Sequence, residues 1–95
     1  MKGETMVKSI KVAMWMKSNG DVVHVVPSKG GKFTLEEVQK MVGGYVERVK
    51  LPGGMVLLVN EEGLFSGLPG NKAASEAASI PIVGDAVLLP KGMGW

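Results

Sequence analysis

The sequence predicts a single α+β domain with the element order β-β-α-β-β-α-β. Two observations carry this prediction: short segments with period-two apolar alternation between turn residues, and one amphipathic helix with both of its caps encoded. A chain of 95 residues has room for one modest core and not for two domains. We expect the domain to span residues 7–89, with 1–6 as a flexible amino-terminal segment and 90–95 as a tail.

The first two strands form a predicted hairpin. Apolar and polar side chains alternate over residues 7–17, with Trp15 and Lys17 on one face. Asn19-Gly20 is a strong turn signal because both residues tolerate positive φ, and the chain returns over 22–26 before a proline. The lysines near the first strand predict that it is an exposed edge, since exposed Lys blunts edge pairing.

The next segment encodes an amphipathic helix. With Thr34 as the N-cap, Glu37 occupies the third helical position, and the pair fits a capping box. Phe33 and Val38 stand at the positions of a hydrophobic staple. Gly43 follows the last apolar residue and supplies a left-handed C-cap. The helix is therefore short and bounded at both ends.

Three more strands and one more helix follow in the second half. Apolar β-type spacing over 45–51 and 55–59 predicts two strands joined by a Pro-Gly-Gly turn. Asn71 is a good N-cap for an Ala-rich helix over 72–79, whose small side chains suit close packing against a sheet or a neighbouring subunit. Residues 85–89 predict the last strand, which a proline ends.

Two hairpins flanking a helix predict a mixed sheet packed on one face by one main helix, in a β-grasp-like arrangement. A small half-open barrel is the alternative. Leu64-Phe65 is interpreted as a short apolar segment that returns between two loops. Trp95 is expected to dock on this domain or on a partner, because a lone exposed Trp is costly.

Composition excludes several classes of function. The chain has 11 basic and 9 acidic residues, and Arg48 is its single Arg, whereas base edges and phosphates are read preferentially by Arg. We therefore expect no sequence-specific nucleic-acid binding. The lack of cysteine removes disulfides, thiolate metal sites and thiol nucleophiles. No stretch approaches the roughly 18 apolar residues of a membrane span, so we expect no membrane partner and a cytoplasmic location.

Five sequence blocks carry a resemblance that composition does not. In chain order they are KFTLEE from residue 32, VGGYVE from 42, LVNEEG from 58, GLPGN from 67 and IVGD from 82. Over residues 8–89 the chain resembles a family of small uncharacterised proteins found in phages, plasmids and bacteria. The resemblance implies a mobile-element origin, a stand-alone domain in the host-cell cytosol and no established activity.

The sequence lacks an obvious catalytic set. The single histidine, His24, lies in a Val-rich segment and is interpreted as structural. No serine stands in a Gly-x-Ser-x-Gly elbow, and the adjacent Glu61 and Glu62 are typical of solvated turn charges rather than metal ligands. We expect no catalytic residue, no metal and no cofactor, and we rank a small nucleotide-processing enzyme behind two kinds of binding protein.

Polar residues at element boundaries are the candidate binding groups. Cap and turn chemistry explains such positions without any ligand. The functional alternative is that asparagine amides line one rim with aromatic faces and a charge, which suits a small polar ligand. The candidate ligand-binding residues are Trp15, Tyr45, Arg48, Asn60, Glu61 and Asn71.

The first hypothesis for function is a non-catalytic phage-type protein that counteracts host defence. It would sequester a small nucleotide-derived immune signal, and it would act as a homo-oligomer through edge strands and the Ala-rich helix. The alternative is a direct protein inhibitor of a host nuclease or defence effector, anchored by a sheet edge or by the Trp95 tail.

Overall fold

The computed structural model describes residues 11–28 and 31–95. The predicted segment 1–6 and the first residues of the first predicted strand, 7–10, lie outside this range. A 3-10 turn, Pro52–Gly54, joins the third and fourth strands. The elements in chain order are β1 Ala13–Met16, β2 Val22–Val25, α1 Leu35–Val42, β3 Val46–Lys50, β4 Val56–Asn60, α2 Lys72–Ala78 and β5 Ala86–Leu89.

The five strands form one open sheet in the order β2-β1-β5-β4-β3. The α+β class is confirmed, whereas the predicted mixed, β-grasp-like sheet is wrong, because all four strand pairs are antiparallel. The connection from β4 to β5 through α2 starts and ends at the same end of the sheet, so β5 enters between β1 and β4 antiparallel to both. The half-open barrel is not formed either, since β2 and β3 remain edges.

A helix covers each face of the sheet, which corrects the prediction of a single covering helix. One core lies between α1 and the sheet and includes Val38, Leu58 and Val87. The other lies on the opposite face and includes Ala74 of α2 and Leu57. Adjacent residues of β4 therefore serve different cores, and all four residues of β5 are buried.

The position of β1 overturns a second prediction. β1 lies between β2 and β5, so it is not the exposed edge that the nearby lysines indicated. Ala13 and Met16 are both buried, on opposite faces. Lys17 instead places its Nζ 4.2 Å from the centre of the Trp15 ring, a cation–π contact on the face that the sequence predicted for both residues.

The capping of α1 is as predicted. The Thr34 Oγ1 accepts from the main-chain N–H of Glu37 at 3.1 Å, and the Glu37 Oε1 accepts from the N–H of Thr34 at 2.8 Å. Gly43 is left-handed, with φ of 85°, and its N–H donates to the Gln39 carbonyl at 2.8 Å. These bonds satisfy main-chain groups that both helix ends leave open.

The capping box makes the stability of the domain depend on pH through the Glu37 carboxyl. The hydrogen bond from the Thr34 main chain, helped by one from Ser28, holds the pKa of the Glu37 carboxyl below its ordinary value of 4.5. A lowered folded-state pKa gives stability that is present above the unfolded pKa and is lost as the pH falls through the lowered value. Urea unfolding should show that the free energy of unfolding falls less between about pH 7 and about pH 3 in Glu37→Gln than in the wild type. In the control Glu36→Gln, on the same helical turn, the free energy of unfolding should fall as much as in the wild type. If it fell equally in Glu36→Gln and Glu37→Gln, the pH dependence would not come from the Glu37 carboxyl.

The segment after β5 belongs to the core, so the core extends past the predicted boundary at residue 89. Met93 is 6% exposed and packs with the α1-side core, and Trp95 packs against the same cluster. The Arg48 guanidinium donates to the main-chain oxygen of Trp95 at 2.6 Å. Trp95 thus docks on the domain itself, one of the two outcomes expected for it.

Candidate functional site

The turn over residues 61–67 is fixed by hydrogen bonds at its start. The Asn60 side chain donates to the Val42 carbonyl at 3.1 Å, which ties the turn to the end of α1, and accepts from the main-chain N–H of Glu62 at 2.8 Å. Gly63 lies so close to Val83 that an added Cβ would come within 2.8 Å of the Val83 side chain. The turn is therefore held against the body of the domain on its inner side.

Further main-chain bonds close the turn and direct two apolar side chains into solvent. The N–H of Ser66 donates to the Glu62 carbonyl at 2.9 Å, and the N–H of Leu68 donates to the Gly63 carbonyl at 3.1 Å. Leu64 is 76% exposed and Phe65 is 95% exposed. Phe65 is the most exposed of the large hydrophobic residues in the described part of the chain.

Two acidic residues line a cleft on the Leu64 side of this projection. A cleft of about 160 Å³ beside it is lined by the apolar Leu64 and Ile80 and by the carboxylates of Glu47 and Glu61, and its lining includes no Lys or Arg. Ile80 is itself exposed. We call the surface formed by Leu64, Phe65, Ile80, Glu47 and Glu61 the acidic apolar surface.

The structure brings together part of the predicted ligand-binding set. Tyr45 and Asn60 line one cleft of about 330 Å³ with Gln39, Glu62 and Ser66 among its other walls. Tyr45 is exposed, and its carbonyl accepts from the N–H of Glu61 at 2.8 Å. The polar groups of the Asn60 amide are already engaged with Val42 and Glu62, so its contribution to this cleft is mainly structural.

Asn71 does not lie on this rim. It is 1% exposed, and its Nδ2 donates to the carbonyls of Met16 at 2.9 Å and Gly84 at 2.8 Å. Its Oδ1 accepts from the N–H of Ala74 at 3.1 Å, which makes it the N-cap that the sequence predicted for α2. All of its hydrogen-bonding groups serve the fold.

Trp15 and Arg48 are also separated from the Tyr45 cleft and from each other. Trp15 pairs with Val87, Val87 with Leu58, and Leu58 with Arg48, so three strand spacings of about 14 Å in total lie between them. The Trp15 indole N–H donates to the Met41 carbonyl at 3.1 Å. The predicted single rim is therefore wrong, because its members lie at different places on the sheet.

Trp15 instead borders an apolar groove between α1 and the β1–β2 hairpin. This groove has a volume of about 340 Å³. Its lining is Trp15, Val25, Val26, Phe33 and Met41, with Glu37 and Lys40 as its charged residues. We call it the α1 groove.

A family comparison covers nearly the whole chain. The model of the family described as Domain of unknown function (DUF3846) matches residues 10–94. The chain belongs to the DUF3846 family. No curated protein and no solved structure matches it. The prediction of an uncharacterised family is thus confirmed.

Residues that commonly bind metals are not clustered in the part of the DUF3846 domain that the structure describes. Within residues 11–28 and 31–95, no three acidic or histidine side chains form a group that could hold a metal. His24, interpreted from the sequence as structural, is exposed on β2. No helix in the described ranges is long and apolar enough to cross a membrane.

The projecting residues of the DUF3846 domain were missed as functional candidates. The sequence predicts that Leu64-Phe65 is a short apolar segment that returns to the fold, whereas the structure shows a turn with both side chains in solvent. A signal was present: an apolar pair between Glu61-Glu62-Gly63 and Ser66-Gly67 is too short for a strand and is flanked by turn residues on both sides.

Proposed function

We propose that this protein is a non-catalytic binding protein that docks on a basic surface of another protein through its acidic apolar surface. The observation that carries the proposal is Phe65, an aromatic side chain 95% exposed at the tip of a turn fixed by hydrogen bonds. Exposed apolar side chains that are grouped and bordered by polar residues are typical of protein–protein interaction sites, and Leu64 next to Phe65 is exposed as well. Of the hypotheses from the sequence, this favours binding to another protein, with the 61–67 turn rather than a sheet edge or Trp95 as the anchor, and inhibition of that protein stays a prediction.

The physical case is one of preorganisation. Aromatic anchors that fill a pocket at the centre of an interface carry a large share of binding energy. An anchor that is already in place loses little conformational entropy on binding, and the Asn60 and Gly63 contacts hold the turn in place before any partner arrives.

Charge indicates the class of partner. Glu47 and Glu61 flank the apolar residues, so the complementary surface is basic around an apolar pocket. Proteins that bind nucleic acid carry such basic surfaces, because they neutralise phosphates. A nuclease or another nucleic-acid-binding protein therefore fits. Phage origin and action against host defence stay predictions from the sequence resemblance.

The test compares Phe65→Ala with a control at another exposed apolar position, Leu35→Ala on α1. Each tagged protein is incubated with bacterial lysate, and retained proteins are quantified. We expect a stoichiometric partner that Phe65→Ala retains on the order of thirty-fold less than the wild type, as for a hot-spot anchor worth about 2 kcal/mol, while Leu35→Ala retains it fully. Both variants should keep the wild-type melting temperature, because both side chains are exposed.

Charge reversal separates the proposed mode from nonspecific apolar adsorption. Glu61→Lys should also reduce retention, and the wild-type interaction should weaken as salt increases. Capture that Phe65→Ala leaves unchanged would contradict the proposal, and so would the lack of any stoichiometric partner.

A second candidate is a small polar ligand in the Tyr45 cleft. It is favoured by a volume of about 330 Å³ and by the exposed Tyr45 ring, which offers a stacking face. A carboxylate, Glu62, lines this cleft without any Lys or Arg, so an uncharged ligand fits it better than a nucleotide phosphate. Calorimetry with nucleosides and with the corresponding nucleotides distinguishes an uncharged ligand from a phosphate-bearing one. Binding heat that remains in Tyr45→Ala would show that the ligand binds outside this cleft.

A further inference from the structure

Among the described residues no strand pairs with the outer edge of β2, and the direction of the main-chain groups along this edge follows from the hydrogen bonds of the hairpin. The N–H of Lys17 donates to the Asp21 carbonyl at 2.8 Å, so the main-chain N–H and C=O groups of odd-numbered residues in β1 point toward β2. The N–H of Ser18 donates to the Asp85 Oδ1 at 2.9 Å, so the main-chain groups of even-numbered residues point toward β5. By the alternation of antiparallel pairing, Val23 and Val25 bond to β1, and the residues between and beside them direct their N–H and C=O groups outward.

The outward-facing residues are Val22, His24 and Val26, and this edge lacks the usual protection against pairing. Val22 is 45% exposed and Val26 is 54% exposed. No acidic residue, Lys or Arg occurs between Asp21 and Ser28, and Pro27 protects one end only. Natural edge strands are normally blunted by Lys, other charges, bulges or proline within the strand.

The other edge, β3, is protected against pairing with a second copy. Two identical antiparallel strands must be related by a two-fold axis, and the registers with most overlap centre this axis on residue 47, 48 or 49. These registers set Glu47 opposite Glu47, Arg48 opposite Arg48, or Arg48 opposite Lys50. Like charges directly opposite each other destabilise a sheet, so each register is disfavoured.

We propose that two copies of this chain pair through β2, antiparallel and with the two-fold axis at His24. In this register Val22 faces Val26, Val23 faces Val25 and His24 faces His24 of the second copy. The outward groups of Val22, His24 and Val26 then form main-chain hydrogen bonds across the interface, before Pro27 ends the pairing. The five strands of each copy form one continuous sheet.

The pairing also brings the two α1 grooves to the same face of the continuous sheet. A two-fold axis perpendicular to the sheet places the α1 grooves of both copies on the same face. Val25, the last residue of β2, and Val26, which follows it, both line the groove, so each groove lies close to the axis. The acidic apolar surface shares no residue with this edge, and the dimer therefore leaves Phe65 accessible and stands independently of the proposed function.

The test uses the residue at the axis. Light scattering after size exclusion should give the wild type twice the 10.0 kDa mass of one chain. His24→Lys and His24→Glu each place two like charges opposite each other, and each should weaken the dimer on the order of tenfold. Mixing these two variants should restore a dimer containing one copy of each, because opposite charges then face each other.

Met55→Lys is the matched control. It adds the same charge as His24→Lys, at an exposed position on the β3–β4 connection, and it should remain dimeric. Circular dichroism of all variants checks that they stay folded. A wild type that is monomeric at its highest soluble concentration would overturn the proposal. A dimer that both His24 variants leave intact, or a mixture that forms no heterodimer, would overturn it as well.

Discussion

Asn71→Ala is expected to lower the free energy of unfolding by roughly 3–7 kcal/mol. The substitution removes the N-cap of α2, which is typically worth about 1 kcal/mol. It also leaves the buried carbonyls of Met16 and Gly84 without their donor, and each buried unsatisfied group costs about 1–3 kcal/mol. A typical domain has only about 5–15 kcal/mol of stability, so this variant should be close to unfolding. Urea denaturation monitored by circular dichroism measures the loss.

Asn71→Ser divides this loss into its two parts. Serine keeps an oxygen that can cap α2 but has no amide to donate to Met16 and Gly84. Its stability should therefore lie between those of the wild type and Asn71→Ala. Asn19→Ala, in the exposed hairpin turn, is the control and should cost under about 1 kcal/mol. A loss below about 1 kcal/mol for Asn71→Ala would show that Asn71 does not hold the two carbonyls.

Leu58→Ala is expected to cost about 2–5 kcal/mol. Leu58 is fully buried in the α1-side core, next to Val38 of α1 and Val87 of β5. Truncation loses the transfer free energy of the removed carbons and leaves a cavity that a close-packed core fills only in part. Chemical denaturation measures this loss, and the denaturant slope should stay unchanged if the denatured state is unaffected.

Leu57→Ala tests the core on the opposite face with the same chemistry. Leu57 is fully buried against the α2 side, so its truncation should cost about as much as that of Leu58. Leu64→Ala, at a solvent-exposed leucine, is the matched control and should change stability by no more than about 0.5 kcal/mol. If Leu57→Ala were as silent as Leu64→Ala, the α2 layer would not be packed on the sheet.

Elements that are defined by hydrogen bonds between residues close in sequence were predictable. The bounds of α1 follow from Thr34, Glu37 and Gly43, whose bonds join residues three or four positions apart. Asn71 as an N-cap belongs to the same class. The Pro-Gly-Gly turn between β3 and β4 is also local, because Gly53 and Gly54 adopt positive φ there.

The strand order was not predictable in the same way. It depends on pairings between distant segments, such as Trp15 with Val87, that no short window encodes. The lysines near β1 indicated an edge, whereas the actual edges are the Val-rich β2 and the charged β3. The uninterrupted apolar run of β5 did carry a signal, because a strand buried on both faces has no need to alternate.

The blocks that carried the family resemblance meet in the tertiary structure as packing. Gly70 bridges to Val83, and the N–H of Gly84 donates to the Pro69 carbonyl at 2.7 Å. An added Cβ at Gly84 would come within 2.7 Å of the Leu68 side chain. The GLPGN and IVGD blocks are thus two halves of one close contact, which explains their residue types without a ligand.

The sequence by itself determined the α+β class, both caps of α1, the N-cap of α2 and the Asn-Gly and Pro-Gly-Gly turns, because the caps and turns depend on bonds between near neighbours. Only the tertiary structure decided that Asn71 is buried, that Trp15 and Arg48 lie apart, and that Leu64 and Phe65 project into solvent. Exposure depends on what the rest of the chain covers. A polar residue at an element boundary therefore looks the same in the sequence whether it faces a ligand or closes a core.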